Sequence, residues 1–374
     1  MQNVLNKTAA GGERMVRSQR LWLASPQLTW MAAFLLSVLF VRPGPVNAQS
    51  LSPPAKPMQN IQTTSDNTPA ASLADTDMTY DTWIYPDAPN ALQALQDGRH
   101  IDTVKAEFLH VNDDGTLEQI NQSEVTPNGY SPANVAIMSQ HSRQQYITVS
   151  GTMAGTAVAM QNSAQTIQTM VNLANKAGFG IELDWEEFGQ WTPEYYTNLK
   201  SFLRDLKRTL HENGHNLMID GPPIYDQNSQ NWYQWKYEEL APLADQIVMM
   251  AYDNQYDTGA GNSIAPTDWF RSCLTWLRAK TGDKAVAGIA SYGYSADRQT
   301  NRMSVLGSDT IIRRLRTLGS PPATRNSDGE LTYESGGTFY DYSDKQTMDT
   351  RLRLVQESGI TRLSVWSLGD NPWF

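Results

Sequence analysis

Eight short apolar runs, separated by helical patterns, constrain this chain more than any other feature of its sequence. They are TYDTWIY (79–85), TVKAEFLHV (103–111), QYITVS (145–150), GIELDW (180–185), NLMID (216–220), QIVMMAY (246–252), AVAGIA (285–290) and TRLSVW (361–366). Several are almost continuously hydrophobic, as strands covered on both faces must be. The segments between them carry helix signals. TPEYYTNLKSFLRDLKRTL offers Thr192 as N-cap, Pro193 at the first helical position, and Tyr196, Leu199, Leu203, Leu206 and Leu210 on one stripe. SDKQTMDTRLRLVQESG opens with a Ser343-to-Gln346 capping box and closes at Gly359. Alternating strands and helices imply a parallel sheet, and eight such units imply α/β architecture of the (β/α)8 TIM-barrel type rather than a doubly wound open sheet. The gap between Ala290 and Thr361 is too long for one helix and contains ELTYESGGTFYDY, a hairpin pattern. A small α+β insertion is therefore expected between strands 7 and 8, at about 293–345. No internal repeat is visible.

The ends of the chain read differently. Lys7, Arg14, Arg17 and Arg20 precede the apolar run Trp30 to Val41, and VNA at 46–48 offers small residues for cleavage. This order is that of a signal peptide, and the run is shorter than the roughly 20 residues a spanning helix needs. Residues 1–48 are expected to direct export and to be removed, with retention as an anchor the alternative. Residues 49–78, rich in Pro, Ser, Thr and Ala without apolar periodicity, read as a disordered linker ahead of a barrel at 79–374. The expected location is the secreted or cell-envelope space, with no stable membrane span after cleavage and a monomeric state. The chain's net charge is −10, without a basic stripe, which speaks against nucleic acid as a partner. A single cysteine, Cys273, excludes an internal disulfide and any multi-cysteine metal site.

The run GFGIELDWEEF poses the chemical question. Glu182, Asp184 and Glu186 alternate with Ile181, Leu183 and Trp185. With a strand period of two, three carboxylates share one face and the other face is apolar. In a barrel the apolar face meets helices and the acids point inward, with Glu186 nearest the C-terminal end, where such barrels place their catalysis. A buried, satisfied polar network accounts for Glu182. It does not account for Asp184 and Glu186, because unpaired buried acids are costly. A neighbouring carboxylate also raises a Glu enough to make it a proton donor near neutral pH.

At this point the sequence resembles the family 18 glycoside hydrolases, the chitinases and endo-acting N-acetylglucosaminidases. FGIELDWE is similar to that family's D-x-x-D-x-D-x-E, with Asp184 and Glu186 on its last two acids. Phe179 stands where the first Asp belongs and Glu182 replaces the second. LADQIVMMAYD resembles the sixth strand, whose M-x-Y-D is Met250, Tyr252 and Asp253, and AVAGIASYGY resembles the seventh. GITRLSVWSLG resembles the eighth, with Trp366 as the floor of the sugar site. GNSIAPTDWF and FYDYSDKQT are similar to a bacterial subgroup with spore and cell-wall lytic members. The resemblance implies substrate-assisted cleavage of β-1,4 linkages in N-acetylglucosamine-containing polysaccharide, with retention and no cofactor. In it Glu186 is the general acid, Asp184 stays ionised and orients the acetamide, and Tyr252 holds the acetamide oxygen. Sugar-binding positions are then Trp366, Asp253, Glu182 and Met250, joined by Tyr225, Trp191 and Tyr292 among the aromatics near strand ends. Trp232, Tyr256 and Trp373 belong to the same set of groove aromatics. Chitin, peptidoglycan and an N-glycan core all remain open as substrates.

Two other readings compete. A non-catalytic lectin can occupy the same barrel, since a fold does not fix function. HENGH (His211 to His215) spells H-E-x-x-H, a zinc-protease pattern. It falls at a helix end with Gly214 as a stop, on the face of the barrel away from the acids, so no metal is expected there.

Overall fold

The computed structural model describes residues 78–319 and 322–374. The expected signal peptide and almost all of the expected linker lie outside the described residues. In chain order the strands are β1 (Thr79–Ile84), β2 (Thr103–Val111), β3 (Leu117–Gln119), β4 (Gln144–Gly151), β5 (Gly180–Asp184), β6 (Leu217–Gly221), β7 (Gln246–Met250) and β8 (Ala285–Ala290). There follow β9 (Gly293–Asp297), β10 (Arg302–Leu306), β11 (Thr324–Arg325), β12 (Leu331–Ser335), β13 (Thr338–Tyr342) and β14 (Arg362–Trp366). Eight strands pair in parallel in the order β1, β14, β8, β7, β6, β5, β4, β2, and β2 pairs back on β1. The sheet is closed, and β3 pairs antiparallel with the C-terminal end of β2, at Leu109–Val111. All eight expected runs are barrel strands.

Two apolar layers follow from the alternation of side chains. Inside lie Trp83, Tyr146, Met218, Val248 and Val286. Outside, the strands meet the helices' apolar stripes: Tyr195, Tyr196, Leu199, Phe202, Leu203, Leu206 and Leu210 are buried on the helix Pro193–Glu212. That helix begins as its sequence requires, with the Thr192 side chain accepting from the Tyr195 amide at 3.1 Å. The helix Lys345–Glu357 begins differently from expectation. Asp344, not Ser343, is its N-cap, accepting from Thr347 N at 2.9 Å. Ser343 is buried and donates instead to the Ala290 carbonyl at 3.3 Å, and the charged Asp344 suits the positive helix end better.

The insertion between β8 and β14 is a five-stranded antiparallel sheet, ordered β10, β9, β13, β12, β11, with the helix Ser308–Thr317. Gly336 and Gly337 link β12 to β13 with φ of 60° and 80°, the two positive values a tight hairpin turn needs. Glu330, 2% exposed, pins this sheet to the barrel: it accepts from Ile264 N at 2.9 Å, Ala265 N at 3.0 Å and Arg351 Nη2 at 2.9 Å. These bonds fix one wall above β7 and β8.

Candidate active site

The acid strand is aimed by its neighbours. Gly178, at φ 75°, caps the helix Ser163–Ala177 and turns the chain into β5. Ile181 and Leu183 then face the outer core, Trp185 packs on Phe202 at 5.2 Å between ring centres, and the three acids face inward. Beyond them, the Glu187 carboxylate accepts from the Met153 amide, which ties the end of β5 to the helix that follows β4.

Depth gives the acids different roles. Glu182 is sealed at 0% exposure. Its Oε1 lies 2.6 Å from Lys105 Nζ, itself fully buried, while Oε2 accepts from Trp83 Nε1 at 3.0 Å and Thr148 Oγ1 at 2.5 Å. Lys105 also sits over the Trp83 ring. With these partners Glu182 lines no sugar groove, which corrects its place among the sugar-binding residues. The extra methylene relative to Asp is accommodated by reaching a lysine.

Asp184 and Glu186 lie higher and are partly open to solvent. Burial pushes Glu186 up to about 7, with the charge of Asp253 next; a hydrogen bond from Asp184 opposes the rise. Asp184 is raised well above the usual carboxylate range, first by burial and then by the charges of Glu186, Glu182 and Glu107; Lys105 only partly offsets them. The pair therefore titrates as a unit and keeps a proton near neutral pH. Burial first, and then the surrounding carboxylates, oppose the ionised Asp184 that the resemblance implies. Asp220 on β6 is a further acid of this interior, 2% exposed, with neither oxygen hydrogen-bonded. Burial raises it well above its ordinary range, and the charges of Glu182 and Asp184 add to the rise.

Tyr252 and the aromatic wall complete the site. Asp184 Oδ1 and the Tyr252 hydroxyl are both buried without a partner. Asp184 is among the charges that raise the Tyr252 hydroxyl. Asp253, at φ 68°, turns the chain after β7, and burial pushes it up to about 6 although it accepts from the Tyr292 hydroxyl. Trp366, at the end of β14, stands 4.9 Å from the Tyr85 ring and 5.3 Å from Tyr292, so its indole is held at an angle to both. Tyr292, 2% exposed, is buried against this wall, and Met250, 9% exposed, belongs to the main apolar core.

Other expected residues do not join it. Trp191 is 4% exposed, packed on Phe188, Tyr195 and Trp235, and donates to the Glu186 carbonyl at 2.8 Å. It buttresses the acid's backbone rather than a sugar. Trp373 packs on Phe374, and Phe374 on Tyr80 at the opposite end of β1. Among the described residues, Tyr225 and Trp232 are exposed aromatics, at 43% and 50%. Phe179 lies outside the barrel, stacked on Phe108. His211 and His215 share no helix face: the helix ends at Glu212, His211 bonds Asp245 at 2.8 Å and His215 bonds Asn175 at 2.9 Å. Among the described residues no three metal-ligating side chains are grouped. Sequence reasoning missed Lys105, Glu107, Thr148, Ser150, Asp220 and Tyr85. For Lys105 and Glu107 a signal existed, two charges at strand spacing inside the apolar run TVKAEFLHV.

The raised acid pair at and just beyond the end of β5, Tyr252 just after β7 and Trp366 at the end of β14 all lie at the C-terminal ends of the barrel strands. The chain belongs to glycosyl hydrolases family 18, whose family model matches residues 79–371. It is 25% identical over 217 residues to an uncharacterized glycosylase, YvbX, of Bacillus subtilis, spanning 54% of this chain and 60% of that relative's length. In fold it is similar to the chitinase of Chromobacterium violaceum (TM-score 0.67, 18% identity, 79% of this chain and 95% of the other). It is also similar to the spore cortex-lytic enzyme SleL of Bacillus cereus (TM-score 0.65, 18% identity, 78% and 71%).

Proposed function

We propose that this protein is an exported hydrolase that cuts β-1,4 linkages beside N-acetylglucosamine, with retention and with the substrate's acetamide as nucleophile. The observation that carries the reading is the pairing of two unsatisfied buried groups, an acceptor at Asp184 Oδ1 and a donor at the Tyr252 hydroxyl, beside a raised Glu186. An acetamide presents the complementary N–H and C=O. Its oxygen attacks the anomeric carbon as the glycosidic C–O bond breaks, and the proton of Glu186 goes to the departing oxygen. Asp184, giving its share of the proton to Glu186, takes the acetamide N–H and balances the oxazolinium charge. Water then opens the ring, its proton returning to Glu186, and the original configuration is restored. The indole of Trp366 is suited to stack under the sugar. Lytic and chitinolytic relatives of the fold make peptidoglycan and chitin the two substrates to compare. The N-terminal order of basic and apolar residues supports export; among the described residues no helix is long and apolar enough to cross a membrane.

The test uses paired oligomers that differ only in N-acetylation of the sugar at the cleaved position, with products read by mass spectrometry. The acetylated oligomer should be cut and its glucosamine twin left nearly intact, because intramolecular attack is worth several kcal/mol. Equal cleavage of the two, or a covalent sugar trapped on an Asp or Glu, defeats substrate assistance. Binding without cleavage on every glycan points to a lectin.

A further inference from the structure

The barrel strand β2 carries two polar side chains for which the proposed reaction has no use. In a regular strand its inward positions would be Lys105, Glu107 and Leu109. Its register with β4 slips instead: Glu107 pairs with Thr148, Leu109 with Val149 and His110 with Ser150. Phe108 is thus the additional residue of a bulge, and it packs outward on Phe179 and Tyr130. Leu109 stays in the outer core, and His110 takes the inward place. The bulge lets one serine meet both side chains. Ser150 Oγ donates to Glu107 Oε1 at 2.5 Å and lies 2.9 Å from His110 Nδ1. Because the hydroxyl's one proton goes to Glu107, the imidazole must donate from Nδ1. Ser150 is also the register partner of Asp184 on β5, so this triad stands beside the acid pair.

We propose that Glu107, held by Ser150 and His110, is a positioning residue whose negative charge keeps the proton on the Asp184–Glu186 pair. This rests on the hydrolase reading given above. Burial pushes Glu107 up to about 7; the Ser150 bond opposes that rise and the charge of Asp87 adds to it. Facing the group are Asp87 after β1, Asp184 and Glu186 of the β5 segment, Lys105 on its own strand, and His110, which burial lowers against the opposing charges of Glu118 and Asp113. Apart from Lys105 and a protonated His110, every charge near Glu107 is negative. Its ionisation near neutral pH therefore makes Glu186 and Asp184 harder to deprotonate, extending general-acid activity toward alkaline pH.

The experiment is carbon-13 NMR of the full-length protein labelled at glutamate carboxyls, with Glu186→Gln identifying the Glu186 resonance. In Glu107→Gln, which keeps shape and an oxygen acceptor for Ser150, the Glu186 midpoint should fall by about half a pH unit or more. Glu107→Asp keeps the charge and should hold the wild-type midpoint. Ser150→Ala should raise the midpoint of Glu107 itself. On an acetylated oligomer the alkaline limb of kcat/KM should move acid by the same amount in Glu107→Gln, with KM unchanged. A folded Glu107→Gln protein with an unmoved Glu186 midpoint overturns the proposal. A wild type that cleaves no acetylated glycan defeats the hydrolase reading instead, and the NMR midpoints still decide whether Glu107 governs the pair.

Discussion

Replacing Lys105 by Met should destabilise the barrel far more than removing the same charge from its surface. Lys105 and Glu182 are both at 0% exposure and meet at 2.6 Å. Two hydrogen bonds, from Trp83 and Thr148, remain on Glu182 after the change. They cannot neutralise it. Breaking one side of a buried pair costs about 3–5 kcal/mol, because the surviving charge stays desolvated. Glu182→Gln should cost less, since a buried lysine can shed its proton and stay neutral. The double variant Lys105→Met, Glu182→Gln removes both charges and should recover most of the loss, giving a coupling on the order of 2–3 kcal/mol. The assay is urea unfolding of the four proteins, with the slope checked for constancy. Additive single effects, or a Lys105→Met cost below about 1 kcal/mol, would refute the view that the two side chains act as a coupled buried ion pair.

Glu186→Gln should lower turnover by about 10²- to 10⁴-fold while oligosaccharide binding, measured by calorimetry, persists. If Tyr252 donates to the substrate acetamide as proposed, Tyr252→Phe should lower kcat by about tenfold or more, with an unchanged urea midpoint. Stability should fall as pH rises from 5 to 8.5: Asp81, Glu107, Asp184, Glu186, Asp220, Asp253 and Asp341 are raised in the folded protein, so the unfolded chain binds fewer protons across that window. Calorimetry showing a higher Tm at pH 8.5 than at pH 5 contradicts this. The Cys273 thiol, buried and raised, should react with a disulfide reagent only on unfolding.

The fold was legible because a barrel repeats its message. Each apolar run is short and bracketed, and eight of them leave one closed architecture. The acid strand was legible for the same reason, since period two separates Glu182, Asp184 and Glu186 from Ile181 and Leu183 without any knowledge of neighbours. What escaped depends on cross-strand geometry. Trp191 and Trp373 look like groove aromatics in sequence, yet burial of one and the route of the chain end for the other place them elsewhere. Asp220 sits in a run that reads as plain strand, and nothing local says that it faces other acids. The bulge at Phe108 has no local signal either: the outer core claims two consecutive residues, Phe108 and Leu109, and only pairing with β4 reveals it.

The interior charge pattern carries one last consequence. Glu182, Asp184, Asp220, Glu107 and Glu186 occupy the barrel's inner face and mouth, while Lys105 is the ammonium among them and is already paired. Its charge cancels Glu182 and reaches Asp184 only weakly. Every further negative charge must then be met by a proton or by the substrate. Protons are available at neutral pH because burial and like-charge repulsion retain them. On the proposed mechanism, the oxazolinium charge that would develop over Asp184 is the positive partner this group of carboxylates calls for. On that reading, the same surplus of carboxylates that accompanies the raised Asp184 and Glu186 would favour the transition state over the ground state, since only the transition state supplies the cation. A site with Asp184 already satisfied by a lysine would hold substrate as well but stabilise the intermediate less. Glu182 keeping Lys105 to itself, one turn of the pleat below, is how this barrel avoids that outcome.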